Sequence, residues 1–195
     1  MILLKDLLLE ISSEISSPNL LIPRRTEDRT EKYLQLKIKQ YIKDKNVGDF
    51  DISGLKLTTL PALLKNLKIG GNFDCRYNKL TSLVGSPTSV DLDFLCNDNN
   101  LDSLVGAPTS VGAPTSVGGS FFCHRNKLTS LVGAPTSVKN FYCNNNLLKS
   151  LDGLIRLDGV RTSVGGDFHC YDNAVRFTEK QVRAVCDVKG VVYTY

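Results

Sequence analysis

Hydrophobic residues follow two different periods along this chain, and the change falls near residue 46. Upstream the spacing is helical. Leu3, Leu4, Leu7, Leu8 and Ile11 make one apolar stripe, ended by the Ser-Ser-Pro segment around Pro18. Leu34, Ile38, Tyr41 and Ile42 make a second, which predicts a helix starting near Thr26. Glu27 and Asp28 stand in its first turn and Lys43 and Lys45 at its end, the polarity a helix dipole favours. Downstream the period shortens to a strand-like alternation that recurs in fixed register. Phe50, Phe73, Phe94, Phe121, Phe141 and Phe168 are each followed two residues later by Ile52, Cys75, Cys96, Cys123, Cys143 and Cys170. Three further on, in every unit but the first, stands Asn78, Asn99, Asn126, Asn146 or Asn173. Such a unit is one coil of a solenoid.

The Phe-to-Phe spacings are 23, 21, 27, 20 and 27. The two long ones are the 21-residue unit plus six, once through a tandem GAPTSV at 106–117 and once within GLIRLDGV at 153–160. Both follow the leucine of the unit, so both are expected to loop out on one side. After Asn173 the register stops. Thr178 and Gln181 read as a capping box opening a short helix through Cys186, and Gly190 precedes an extended VVYTY. The expected organisation is a helical N-terminal cap (1–46), a solenoid (47–177) and a C-terminal cap (178–195), together one structural domain. A solenoid needs its end coils covered by polar-faced elements, and both termini fit that need.

The units resemble leucine-rich repeats, with Phe, Cys, Asn and Leu at the later framework positions of L-x-x-L-x-L-x-x-N-x-L. The first Leu of that pattern is displaced: a Val or Ile stands one residue earlier, as at Ile69, Val90 and Val117. The unit LTSLVGAPTSVKNFYCNNN at 128–146 is especially similar to short repeats of bacterial and tailed-phage proteins. The resemblance implies an α/β solenoid of about six coils with short parallel strands and an irregular convex side. It also implies a protein-binding role and a phage or bacterial origin.

Period-two alternation places Phe and Cys inside and the residues beside each Cys outside. With neighbouring strands about 4.8 Å apart, those outer residues tile one face. Its expected contact residues are Arg76, Tyr77, Leu95, Phe122, His124, Arg125, Tyr142, His169 and Tyr171. Aromatic and arginine residues are favoured interface anchors, although cross-strand stacking also stabilises a sheet by itself. The Asn row reads as structural, its amides serving backbone groups of the turns. The Cys row reads as buried reduced thiols rather than a disulfide framework, which usually serves chains too small to build a core.

Composition excludes more than it selects. The chain holds 24 basic and 20 acidic residues among 195, a balance that does not demand nucleic acid. The run MILLKDLLLE is too short and too charged for a signal core or a span, so a membrane role is not expected and a cytoplasmic protein is. Cys123-His124 and His169-Cys170 invite a metal reading, but adjacent strand residues face opposite ways, so no metal is expected. No nucleophile, base and oxyanion donor converge, and neither a P-loop nor a Rossmann fingerprint occurs; the expectation is a non-enzyme with no cofactor and no small-molecule substrate. The function expected is recognition of a protein through the sheet face, in the host cytoplasm if the protein is phage-encoded. Two alternatives stand beside it. One is nucleic-acid binding through the basic segment (Arg24, Arg25, Lys32, Lys37, Lys39, Lys43, Lys45) and the aromatic face; the other is a self-associating or virion accessory role.

Overall fold

Alternation confined to two or three residues per unit can support only very short strands, which become stable by stacking on identical neighbours. The computed structural model describes residues 26–108 and 119–195. The stripe from Leu3 to Ile11, Arg24 and Arg25, and most of the tandem GAPTSV segment lie outside the described residues. Leu34–Tyr195 form one compact unit, and the packing below is that of this unit. In chain order the elements are α1 (Thr26–Lys43), β1 (Phe50–Asp51), a 3-10 turn (Ala62–Asn66), β2 (Lys68–Ile69), β3 (Phe73–Asp74), β4 (Ser89–Val90), β5 (Phe94–Leu95), β6 (Phe121–Phe122), β7 (Ser137–Val138), β8 (Phe141–Tyr142), β9 (Thr162–Val164), β10 (Phe168–His169), α2 (Glu179–Val185), β11 (Cys186–Val188) and β12 (Val192–Tyr193).

These make a solenoid of parallel strands. Six coils led by phenylalanine pair in strict register, Phe50↔Phe73↔Phe94↔Phe121↔Phe141↔Phe168. A seventh strand, β12, continues the row with Val192 opposite Phe168. The side expected to be irregular carries order of its own. There β2 pairs with β4, and β11–β9–β7 form a second parallel row, with Ile69, Val90, Val138, Val164 and Val188 pointing inward. Coils this close bring extended backbone within hydrogen-bonding reach wherever it occurs, so a row of inward valines becomes a row of strands.

The core is built from columns. The phenylalanine rings follow one another at 5.2 to 6.3 Å between centroids. Leu80, Leu101, Leu128 and Leu148 form a second buried column and Leu83, Leu104 and Leu131 a third. Full burial of such a side chain contributes about 1.5–3 kcal/mol. On the return side the coils touch backbone to backbone: a Cβ on Gly133, whose φ is +92°, would stand 2.5 Å from the carbonyl carbon of Leu104.

Each asparagine of the register clamps two coils. Nδ2 of Asn99 donates to the carbonyls of Cys75 (3.0 Å) and Cys96 (3.2 Å), while its Oδ1 accepts from the Leu80 N–H at 3.0 Å. Asn78, Asn126, Asn146 and Asn173 repeat the arrangement. These bonds bracket a tight bend in which Gly54, Tyr77, Asp98, Arg125, Asn145 and Asp172 all take left-handed φ of 52° to 67°.

At the amino end Leu34, Ile38 and Tyr41 of α1, spaced four and three residues apart, are buried. Tyr41 lies edge-on to Phe50 at 5.0 Å. Its hydroxyl stands 3.0 and 2.9 Å from the carbonyls of Asn46 and Gly48 and accepts from the Gly70 N–H. At the other end Thr178 and Gln181 form the expected reciprocal capping box. The helix it opens ends at Val185, one residue short of the expectation. Cys186 instead starts β11, because Cys-Asp-Val alternates buried, exposed, buried and continues the valine row.

Candidate functional site

The outward side chains of the long sheet run, in register, Asp51, Asp74, Leu95, Phe122, Tyr142, His169 and Tyr193. The character of the surface changes along this row. At the first coils the acids are balanced by cations. Asp74 takes hydrogen bonds from Arg76 Nε (3.0 Å) and Nη2 (2.6 Å), a pairing that holds the guanidinium above its ordinary pKa. Burial pushes Asp51 upward, but hydrogen bonds from Ser53, with Lys37 and Arg76 nearby, outweigh it and leave the carboxyl below its usual range.

From the fourth coil the row is aromatic. Phe122 stacks on Tyr142 at 4.5 Å with ring planes 4° apart. Tyr142 stacks on His169 at 4.4 Å, and His169 on Tyr193 at 4.3 Å. Leu95 pairs with Phe122 at the start of this column. Two further rings stand edge-on beside it: His124 at 6.2 and 6.4 Å from Phe122 and Tyr142, and Tyr171 at 6.3 Å from His169. The rings cover one another's faces and present their edges, with the Tyr142 and Tyr193 hydroxyls as polar tips.

The structure therefore brings seven of the nine expected residues onto this part of the face: Leu95, Phe122, His124, Arg125, Tyr142, His169 and Tyr171. Arg125 is exposed, in the left-handed bend beside His124, with Asp98 3.7 Å from its guanidinium. The other two, Arg76 and Tyr77, belong to the second coil. Tyr77 is 58% exposed, with the Arg76 guanidinium 5.7 Å from its ring. Two neighbours expected to be outward, Asn97 and Asn144, are buried. They alternate with Arg76, His124 and Tyr171 along the column, and short amides between long side chains are screened by them. Their Nδ2 groups turn to Asp98 and Asn145, both at 2.6 Å.

Tyr193 was missed because no Phe, Cys or Asn marks its coil. The usable signal was the alternation Val192-Tyr193-Thr194, in phase with Phe168-His169-Cys170. A second amide-and-acid ladder was missed as well, at the residue before each phenylalanine. The side-chain oxygens of Asp49, Asn72 and Asp93 accept from the next coil's backbone N–H at 2.7, 2.9 and 2.7 Å. Asn140 and Asp167 do the same at 2.8 and 2.9 Å.

The cysteines are all free and buried. Cys75, Cys96, Cys123 and Cys143 each donate Sγ–H to the carbonyl of the next coil's outward residue at 3.3 Å. Burial pushes these four thiols well up, and Cys170 and Cys186 to about 12, so they stay protonated. Among the described residues no three His, Cys, Asp or Glu side chains stand together as a metal would need. No helix among them is long and apolar enough to cross a membrane. The chain matches no protein-family profile and no curated protein.

Proposed function

We propose that this protein is a non-catalytic binding module that meets a protein partner through the outer face of its long sheet. The observation that carries this reading is the column Phe122–Tyr142–His169–Tyr193, four rings held in register by the backbone ladders and flanked by His124, Arg125 and Tyr171. Rings fixed in this way lose little freedom on association, and aromatic and Arg side chains with polar tips are favoured interface anchors. We read the repeats as leucine-rich repeats of the short bacterial and tailed-phage type. In that reading α1 caps the amino end, α2 to β12 cap the other, and the protein acts on a host factor in the host cytoplasm.

The hairpin in the second insertion offers a smaller contact edge. Ile155 and Arg161 bridge across it, and Leu157 at its tip is fully exposed.

Nucleic acid is less favoured for a specific reason. Base stacking needs open ring faces, and the inner rings of this column spend theirs on one another. Self-association or a virion accessory role is the remaining alternative, and light scattering of the purified chain separates it from a monomer.

Affinity capture from bacterial lysate with the wild type and with a Phe122→Ser/Tyr142→Ser variant tests the proposal. A partner held by the wild type and lost by the variant, with the far-UV circular dichroism unchanged, is the expected result. Equal retention of every partner removes the sheet face from consideration. Binding of RNA or DNA that weakens steeply with salt transfers the assignment to nucleic acid.

A further inference from the structure

The two histidines of the chain are its only ones, and both sit in the outer ring cluster. His169 is sandwiched between Tyr142 of β8 and Tyr193 of β12, at 4.4 and 4.3 Å. His124 stands edge-on to both Phe122 and Tyr142, and its Nδ1 is buried without a hydrogen-bond partner among the described residues. A neutral imidazole suits both places: it stacks as an aromatic ring and has only one N–H that needs an acceptor. An imidazolium has two N–H groups to satisfy and a charge to hydrate.

We propose that the outer ring column is an acid-sensitive element, in which protonation of His124 or His169 loosens the stacking of Phe122, Tyr142, His169 and Tyr193. This concerns the face proposed above as the contact surface, but it holds whether or not a partner binds there.

The charges around each ring decide the direction. His169 faces Tyr142 and Tyr193 across the strands and Tyr171 on its own coil. Burial lowers its pKa, and Asp167 opposes that. His124 faces Phe122 and Tyr142, with Asp98 on the preceding coil. Burial lowers its pKa, Asp98 opposes, and Arg125, Arg76 and His169 reinforce the lowering. Both imidazoles are therefore neutral near pH 7. Above the ordinary histidine value, about 6.5, the folded and unfolded chains bind the same imidazole protons and the column is unaffected. As the pH falls below it, the unfolded chain takes up protons first, and the penalty on the folded column grows until the depressed folded values are passed. A cation between two tyrosine faces gains some attraction, which works against this result.

Imidazole proton resonances followed by NMR from pH 8 to pH 4.5 test the proposal, with near-UV and far-UV circular dichroism recorded on the same samples. Expected are two midpoints below 6.5 and a loss of near-UV tyrosine signal over the same range, with the far-UV spectrum unchanged. A His124→Phe/His169→Phe variant, which keeps rings in both places, is expected to show a flat near-UV profile. Midpoints at or above 6.5 in the wild type overturn the proposal by themselves. So does an unchanged near-UV signal, or a variant that loses signal as the wild type does.

Discussion

The same short strands carry two ring columns, one on each face, and the columns differ. The inner one is uniform, six phenylalanines at 5.2 to 6.3 Å with planes up to 46° apart. The outer one is mixed, yet tighter and flatter: 4.3 to 4.5 Å, with planes within 20°. Inner rings share their space with Leu and Cys columns and tilt to fill it. Outer rings have only each other in the direction that runs from strand to strand, with His124 and Tyr171 edge-on at the side, so they settle close to the coil repeat of about 4.8 Å. Uniform sequence thus accompanies packing that must serve many neighbours, while variety accompanies packing that serves two. The inner column holds the fold, and the outer column is free to carry identity.

The sharpest break in that comparison is Phe121→Ala, which leaves a cavity in the inner column and is expected to cost about 3–5 kcal/mol in urea unfolding. Next is Asn126→Ala. It deprives the buried Leu101 N–H of its acceptor and the Cys96 and Cys123 carbonyls of a donor, an expected loss of about 1–3 kcal/mol. Tyr142→Ser, in the centre of the outer column, is expected to cost only about 0.5–1.5 kcal/mol while weakening the near-UV tyrosine signal. If it destabilises as much as Phe121→Ala, the outer column is structural and the division of labour fails. Smallest is Arg125→Ala, whose exposed pairing with Asp98 at 3.7 Å contributes about 0–1 kcal/mol; thermal melts should barely separate it from wild type.

The inner column was legible because Phe, Cys and Asn repeat as letters. What escaped was whatever keeps a role while changing its residue. The ladder before each phenylalanine runs Asp49, Asn72, Asp93, Ser120, Asn140, Asp167, unlike as letters but nearly all able to accept a backbone N–H. The valine strands escaped because two or three residues, with no repeated Phe, Cys and Asn beside them, are too few to show a period. Asn97 and Asn144 were read as surface from strand parity alone, which gives direction but not depth. Parity does put Leu95, Phe122, Tyr142 and His169 on one side of the sheet, in register; Tyr193 lay past the last marked coil, so the column's fourth ring could not be counted.

The asparagine clamp has a consequence for how such a chain can be edited. Each clamp reaches from the carbonyl of one coil's cysteine (Ile52 in the first coil) to that of the next coil's cysteine, and its Oδ1 accepts from the N–H of a leucine just past the bend. Register is therefore decided locally, and the length of the return is left open, which is how units of 20 and 27 residues coexist in one stack. Copying a short return sequence in place leaves the neighbouring coils undisturbed. Copying a whole unit would add one clamp, one inner ring and one outer position whose residue is free to be chosen. The molecule is in this sense a ruler whose length and outer markings can be revised separately.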